Sequence, residues 1–229
     1  MDYEEFRVRA DAVLSRIRAA CAKAGRDPAD VELLAVTKSH PPQAVEFAAR
    51  YGLRSVGENR VQEGVDKRAR TSAVLSWELI GHLQSNKARL AALNFDRIQS
   101  VDSMRLAGIL DRVAGELGRT LPVLLQVNAG LDPAKSGVEP EGAPALLESA
   151  LKCVNLRVDG LMTIAPLSDD PAVARRTFAN LREIRDRLSP STGAALRVLS
   201  MGMSGDIEEA VAEGSTLVRV GSALFGPRA

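Results

Sequence analysis

A rhythm constrains this chain more than any other feature. Eight short apolar runs alternate with amphipathic segments along the sequence, at about 26 residues per repeat, the spacing of a βα unit in a closed barrel. The runs are Val31–Val36, Arg54–Gly57, Trp77–Ile80, Arg97–Val101, Pro122–Val127, Leu156–Leu161, Leu196–Ser200 and Thr216–Val220. Helical spacing follows seven of them, over about Pro41–Ala49, Arg60–Ala69, Ser85–Leu93, Ser103–Leu117, Gly142–Cys153, Pro171–Leu188 and Asp206–Ala212. Strand, helix, strand in sequence implies parallel pairing with right-handed crossovers.

A further helix precedes the rhythm. Phe6, Ala10, Val13, Leu14, Ile17, Cys21 and Ala24 recur at helical spacing, and Gly25 and Pro28 end the pattern. The chain stops nine residues after the eighth strand, too soon for an eighth closing helix, so the N-terminal helix is expected to fill that place in the ring. The expected fold is α/β: a single (β/α)8 TIM barrel occupying residues 1–229, with no linker marking a second domain. An open doubly wound sheet is the alternative. It calls for a glycine-rich first βα turn, and Lys38-Ser-His-Pro-Pro42 is not one.

Composition removes several functions. Net charge is +1 and aromatic residues make up 3%, which argues against a nucleic-acid field or a base-stacking platform. Two cysteines with no CxxC spacing and two histidines argue against a disulfide framework and a His-rich zinc site. The charged N-terminus lacks a signal-peptide core, and no apolar stretch is long enough to span a bilayer. A cytoplasmic location is expected.

In such a barrel, chemistry sits at the C-terminal ends of the strands. Polar groups gather there: Thr37-Lys38, Glu58-Asn59, His82, Asp102, Asn128, Thr163, Ser200 to Ser204, and Arg219 with Gly221-Ser222. Strand ends meet solvent and are often polar, but a lysine and an arginine set into apolar strands are less ordinary. Lys38 follows Leu-Leu-Ala-Val-Thr. Partial desolvation there lowers an amine's pKa and suits Schiff-base chemistry with a carbonyl. A lysine just past a strand at the surface is the plainer alternative. Ser204-Gly205 before a helix, and Gly221-Ser222 after the eighth strand, offer small residues where backbone N–H groups can approach an anion. Loops after strands seven and eight commonly hold phosphate in these barrels. Phosphate opposite a buried lysine suggests a phosphorylated aldehyde, of which pyridoxal phosphate is the commonest. No Walker, HExxH or GxSxG motif is present. His82 reads as a hydrogen-bonded structural histidine or a general base.

Leu34-Ala-Val-Thr-Lys38, Gly57-Glu-Asn-Arg-Val-Gln-Glu63, Gly81-His-Leu-Gln-Ser-Asn-Lys87, Leu199-Ser-Met-Gly-Met-Ser204 and Val218-Arg-Val-Gly-Ser-Ala-Leu-Phe-Gly226 together resemble the YggS/PROSC family of pyridoxal-phosphate-binding proteins, over essentially the whole chain. That family is similar to the barrel domain of alanine racemase standing alone. The resemblance implies pyridoxal 5'-phosphate as cofactor, held as a Schiff base on Lys38. It implies Asn59, Met201, Ser204, Gly205, Arg219, Gly221 and Ser222 as further cofactor-binding residues, with Ser204, Gly221 and Ser222 toward the phosphate, Arg219 toward the pyridine nitrogen and Asn59 near the ring. Ser222 stands where threonine is commoner in the family, and Asp132 where glutamate is.

The resemblance also implies a role in intracellular cofactor homeostasis without turnover, no catalytic residue, PLP-dependent apoenzymes as partners, no nucleic acid or membrane partner, and a monomer. The alternative is a small amino-acid racemase or decarboxylase. A third reading is a phosphate-binding barrel isomerase that uses no cofactor. A racemase needs a second acid/base opposite the lysine. The tyrosines, Tyr3 and Tyr51, are expected on outer helices, far from the strand ends.

Overall fold

The first helix shows how local sequence rules build the outer layer. In the computed structural model, which describes residues 1–226, α1 spans Tyr3–Ala24. Asp2 caps it, accepting from the Glu5 amide at 2.9 Å while the Glu5 carboxylate takes the Asp2 amide at 3.2 Å, a reciprocal capping box. Gly25 ends it in the left-handed region at φ 64°. Phe6, Ala10, Val13, Ile17, Ala20 and Cys21 form one buried face.

Strands and helices then alternate: β1 (Glu32–Val36), α2 (Gln43–Tyr51), β2 (Ser55–Glu58), α3 (Val61–Arg68), β3 (Ser76–Leu79), α4 (Ala88–Asn94), β4 (Arg97–Val101), α5 (Met104–Glu116), β5 (Leu121–Gln126), α6 (Ala143–Leu151), β6 (Leu156–Met162), α7 (Pro171–Thr192), β7 (Val198–Ser200), α8 (Ile207–Ala212), β8 (Leu217–Val220) and α9 (Ser222–Phe225). Every pairing is parallel, and the strands close in sequence order. β8 returns to β1 with Glu32 opposite Leu217 and Ala35 opposite Val220. The expected closed barrel is the fold, and the open sheet is not. Helices cover the outer face and side chains fill the inside, so the strands read as nearly continuous apolar runs.

α1 lies between α8 and α2 and completes the ring. Arg16 bridges to Glu208 on α8 at 2.8 Å, Arg26 donates to the Val211 carbonyl at 2.8 Å, and Tyr51 on α2 donates to Asp11 at 2.6 Å. Two boundaries differ from expectation. α7 continues past Leu188 and Pro190 to Thr192: Pro190 has no N–H to give the Asp186 carbonyl, but the hydroxyls of Ser191 and Thr192 both donate to the Leu188 carbonyl and hold the last turn. A single helical turn, α9, follows β8 where the sequence suggests no helix. It is held by Phe225, whose ring stacks on Phe6 of α1 at 5.2 Å.

Close backbone approach sets one requirement inside the barrel. A Cβ at Gly160 on β6 would stand 1.9 Å from the Val198 carbonyl oxygen, so only glycine lets β7 pair there.

Candidate functional site

A cavity of about 440 Å³ opens at the C-terminal ends of the strands. Lys38 enters it from the turn after β1, two residues past Val36 and half-buried. The strand before it is buried because it packs on both faces, so the turn residue is the first that can face the mouth.

Arg219 forms the deep wall. It projects from β8 and is almost fully buried. Its guanidinium donates to Ser200 Oγ at 2.7 Å and to the Thr163 carbonyl at 2.8 Å. Burial pushes its pKa down to about 10, against the opposing pull of Asp206 and Glu78, so it stays cationic at neutral pH. Among the described residues no carboxylate lies within 4 Å of it. Behind it a polar chain crosses the barrel interior. Ser200 Oγ donates to Gln99 Oε1 at 2.6 Å, and Gln99 Nε2 donates to Glu78 Oε2 at 2.6 Å. Glu78 is buried against Arg97, which donates to both its oxygens at 2.8 and 2.7 Å. Burial holds the Glu78 carboxyl above its ordinary range, against those bonds.

Ser204, Gly205, Gly221 and Ser222 make the rim after β7 and β8. The Ser204 hydroxyl accepts from the Ala223 amide at 3.3 Å, tying the β7–α8 loop to α9. Arg16 of α1 holds the Ser204 carbonyl at 3.0 Å from behind. The backbone N–H groups of Gly205 and Ser222 donate to no acceptor among the described residues. Two hydroxyls and two open amides in small residues form an anion-accepting rim. Asn59, just past β2, lines the side, and Val36, Ile80 and Ile164 give apolar walls.

Seven of the eight sequence-derived site residues therefore meet at one cavity. The exception is Met201, which is fully buried in the main core. Gly202 turns the chain at φ +96°, in a position where a Cβ would stand 2.4 Å from Ala210 Cβ. That turn leaves Met201 packed between the barrel and its helices and brings Met203 to the cavity instead. His82 sits at the rim, 56% exposed, with Nδ1 3.2 Å from Asp102. Gln126 and the Ala134–Ser136 loop also line the cavity, with no strand-end signal in the sequence to mark them. The loop folds over the mouth because Val138 bridges to Val127 and Gln126 Nε2 holds the Ser136 carbonyl at 2.7 Å. Its place over the mouth depends on that bridge. The tyrosines lie on α1 and α2, away from the cavity. No cluster of three or more metal-ligating side chains exists among the described residues, and no helix among them is long and apolar enough to cross a membrane.

The closed parallel barrel, with an amine after β1 and an anion rim after β7 and β8, defines a protein of the alanine-racemase barrel class. The family model described as "Alanine racemase, N-terminal domain" matches residues 8–229, and the chain belongs to that family. Within it the chain is 45% identical over 217 residues to the pyridoxal phosphate homeostasis protein of Pseudomonas aeruginosa, covering 94% of this chain and 93% of that one. It is 42% identical to the protein of the same name from Aquifex aeolicus, covering 94% and 95%. Among solved structures, PipY of Synechococcus elongatus with PLP bound is 44% identical with a TM-score of 0.82, covering 92% of this chain and 100% of that one. Alanine racemase of Clostridium difficile superposes with a TM-score of 0.78 at 17% identity, over 93% of this chain and 56% of that one; that likeness shows the fold alone.

Proposed function

We propose that the protein binds pyridoxal 5'-phosphate in the barrel mouth and serves in its intracellular homeostasis as a carrier or buffer. The observation that carries this is one cavity lined both by Lys38 and by the small residues Ser204, Gly205, Gly221 and Ser222, after strands that pair side by side where β8 returns to β1. The residues fit the group. Its volume of about 440 Å³ suits a small phosphorylated ring, apolar walls flank it, and the rim offers hydroxyls and open amides to a dianion. Lys38 supplies the amine, Asn59 stands beside the ring space, and Arg219 closes the floor. The PLP-bound relative supports the same assignment. When bound, the cofactor supplies an aldehyde that condenses with a lysine amine and a ring that withdraws electrons.

The test is borohydride reduction of purified protein with added pyridoxal phosphate, followed by peptide mapping. The expected result is a phosphopyridoxyl label on Lys38, absent in Lys38→Ala. Protein that neither binds nor takes the label overturns the reading and favours a barrel that uses no cofactor.

Binding proceeds without turnover in this proposal. Arg219 presents a cation to the cavity floor, which disfavours protonation of a ring nitrogen and weakens the electron sink. No tyrosine lines the cavity, and His82 is exposed at its edge and engaged with Asp102. Loss of one general acid–base partner removes about 10²–10⁴-fold of rate. Deuterium exchange at Cα of L- and D-amino acids in D2O checks it; exchange at about 1 s⁻¹ or faster would establish an enzyme. The same reading places a monomer in the cytoplasm, where its two unpaired cysteines stay reduced, and makes PLP-dependent apoenzymes its recipients.

A further inference from the structure

Three charged side chains are packed directly behind Lys38, and none of them lines the cavity. Lys67 on α3 is 5% exposed. Its ammonium donates to the Thr37 carbonyl at 2.5 Å, to Glu58 Oε1 at 2.7 Å and to Glu63 Oε1 at 2.8 Å. The same Glu63 oxygen accepts the Ser39 amide at 2.5 Å, and Glu58 Oε1 accepts the Thr37 hydroxyl at 2.6 Å. The carbonyl just before Lys38 and the amide just after it are thus held by one ion cluster. Ser39 sits in the left-handed region at φ 62°, a conformation that serine keeps only when its surroundings impose it.

Charge burial makes this arrangement informative. An ammonium and carboxylates taken out of water cost more than apolar residues of the same volume, which would pack α3 against the barrel as well. The Glu58 Oε2 atom is buried with no partner among the described residues, and burial holds the Glu58 carboxyl above its ordinary range against the Lys67 and Thr37 bonds. The cost is concentrated where the cluster fixes both peptide groups beside one side chain.

We propose that Lys67, with Glu63 and Glu58, is a positioning device for Lys38. By clamping the peptide groups on both sides, it sets the direction in which the Lys38 side chain leaves the backbone and holds its amine toward the bound aldehyde. The step it serves is a condensation: the neutral Lys38 amine forms a C=N bond to the aldehyde carbon, its two hydrogens leave with the carbonyl oxygen as water, and nothing is oxidised or reduced. The proposal rests on the assignment of Lys38 as the cofactor lysine.

The test compares wild type with Lys67→Met, Lys67→Arg and Glu63→Gln by three measurements. The first is affinity for 4'-deoxypyridoxine 5'-phosphate, which fills the cavity but has no aldehyde. The second is the rate of covalent attachment of pyridoxal phosphate to Lys38, fixed with borohydride and read by mass. The third is hydrogen exchange of the Ser39 amide in the protein without cofactor. Deoxy-analogue affinity is expected to stay within about twofold in every variant, while attachment slows about tenfold or more in Lys67→Met, as loss of orientation predicts. Lys67→Arg should restore most of the rate, and Glu63→Gln should slow attachment and expose the Ser39 amide to exchange. Attachment at the wild-type rate in both Lys67→Met and Glu63→Gln overturns the clamp alone. Analogue affinity that falls in step with the rate also overturns it, because the cavity itself has then been lost. If Lys67→Met does not fold, Glu63→Gln decides, since Glu63 is partly exposed. Wild-type protein that attaches nothing at Lys38 overturns the cofactor reading and the clamp with it.

Discussion

Phe6→Ala tests whether α1 is a structural layer of the barrel. Phe6 is fully buried. Its ring meets Phe225 at 5.2 Å, Phe47 and Tyr51 at 6.0 Å, and Tyr3 at 6.4 Å. Those partners belong to α9, α2 and α1, so one side chain joins three elements. Truncating a buried phenylalanine costs about 3–5 kcal/mol, the larger values where the site cannot collapse. Here the surrounding elements are anchored separately, by Tyr51 to Asp11 and Arg16 to Glu208, so the upper half of that range is expected. At about 2–4 °C per kcal/mol for a chain of this size, Tm should fall by about 8–20 °C. Phe225 lies three residues beyond Ser222, so loosening α9 should also weaken cofactor retention at the rim. Urea unfolding with an unchanged m-value measures the first effect and equilibrium titration the second. Phe6→Leu, which keeps most of the volume, should lose far less. A loss below about 1 kcal/mol for Phe6→Ala would mean that α1 is an appendage, and the account of ring closure would be wrong.

Glu78→Gln takes the bidentate carboxylate from half-buried Arg97 and leaves it Asp159 at 4.0 Å, so it should cost about 3 kcal/mol in urea unfolding, the low end for breaking a buried pair; a variant as stable as wild type would remove that pair from the interior account. Ser204→Ala should weaken cofactor retention by one charge-assisted bond, about 1.5–3 kcal/mol or about 10–150-fold, and unchanged affinity would take the phosphate away from the β7–α8 loop. Glu63 lies below its ordinary 4.5, because its bonds from Lys67 and Ser39 outweigh the upward push of burial. A depressed carboxylate stabilises the fold above its unfolded value and loses that contribution as pH falls through the folded one. The stability gap between wild type and Glu63→Gln should therefore be full above about pH 4.5 and close on acidification; a gap that widens toward acid refutes the assignment.

The repeat of apolar runs was enough to read the barrel, because parallel strands covered on both faces leave a mark in sequence that needs no partner information. The same holds for α1, whose capping box and buried stripe are local. It holds too for most of the site: strand ends define one rim, so the sequence alone brings Lys38, Asn59, Ser204, Gly205, Arg219, Gly221 and Ser222 together. Met201 and Met203 could not be told apart, since which of them reaches the cavity depends on how Gly202 turns the chain against Ala210. Lys67 looks like any lysine on an amphipathic helix until α3 packs its ammonium under the Thr37 carbonyl. Ser200 and Gln99 are 101 residues apart and meet only through the closed cylinder. The Ala134–Ser136 loop reaches the mouth only through the pairing of Val127 with Val138. Periodicity is a property of one segment and survives in the sequence. Contacts across strands depend on register, twist and closure, which exist only once all eight strands have paired.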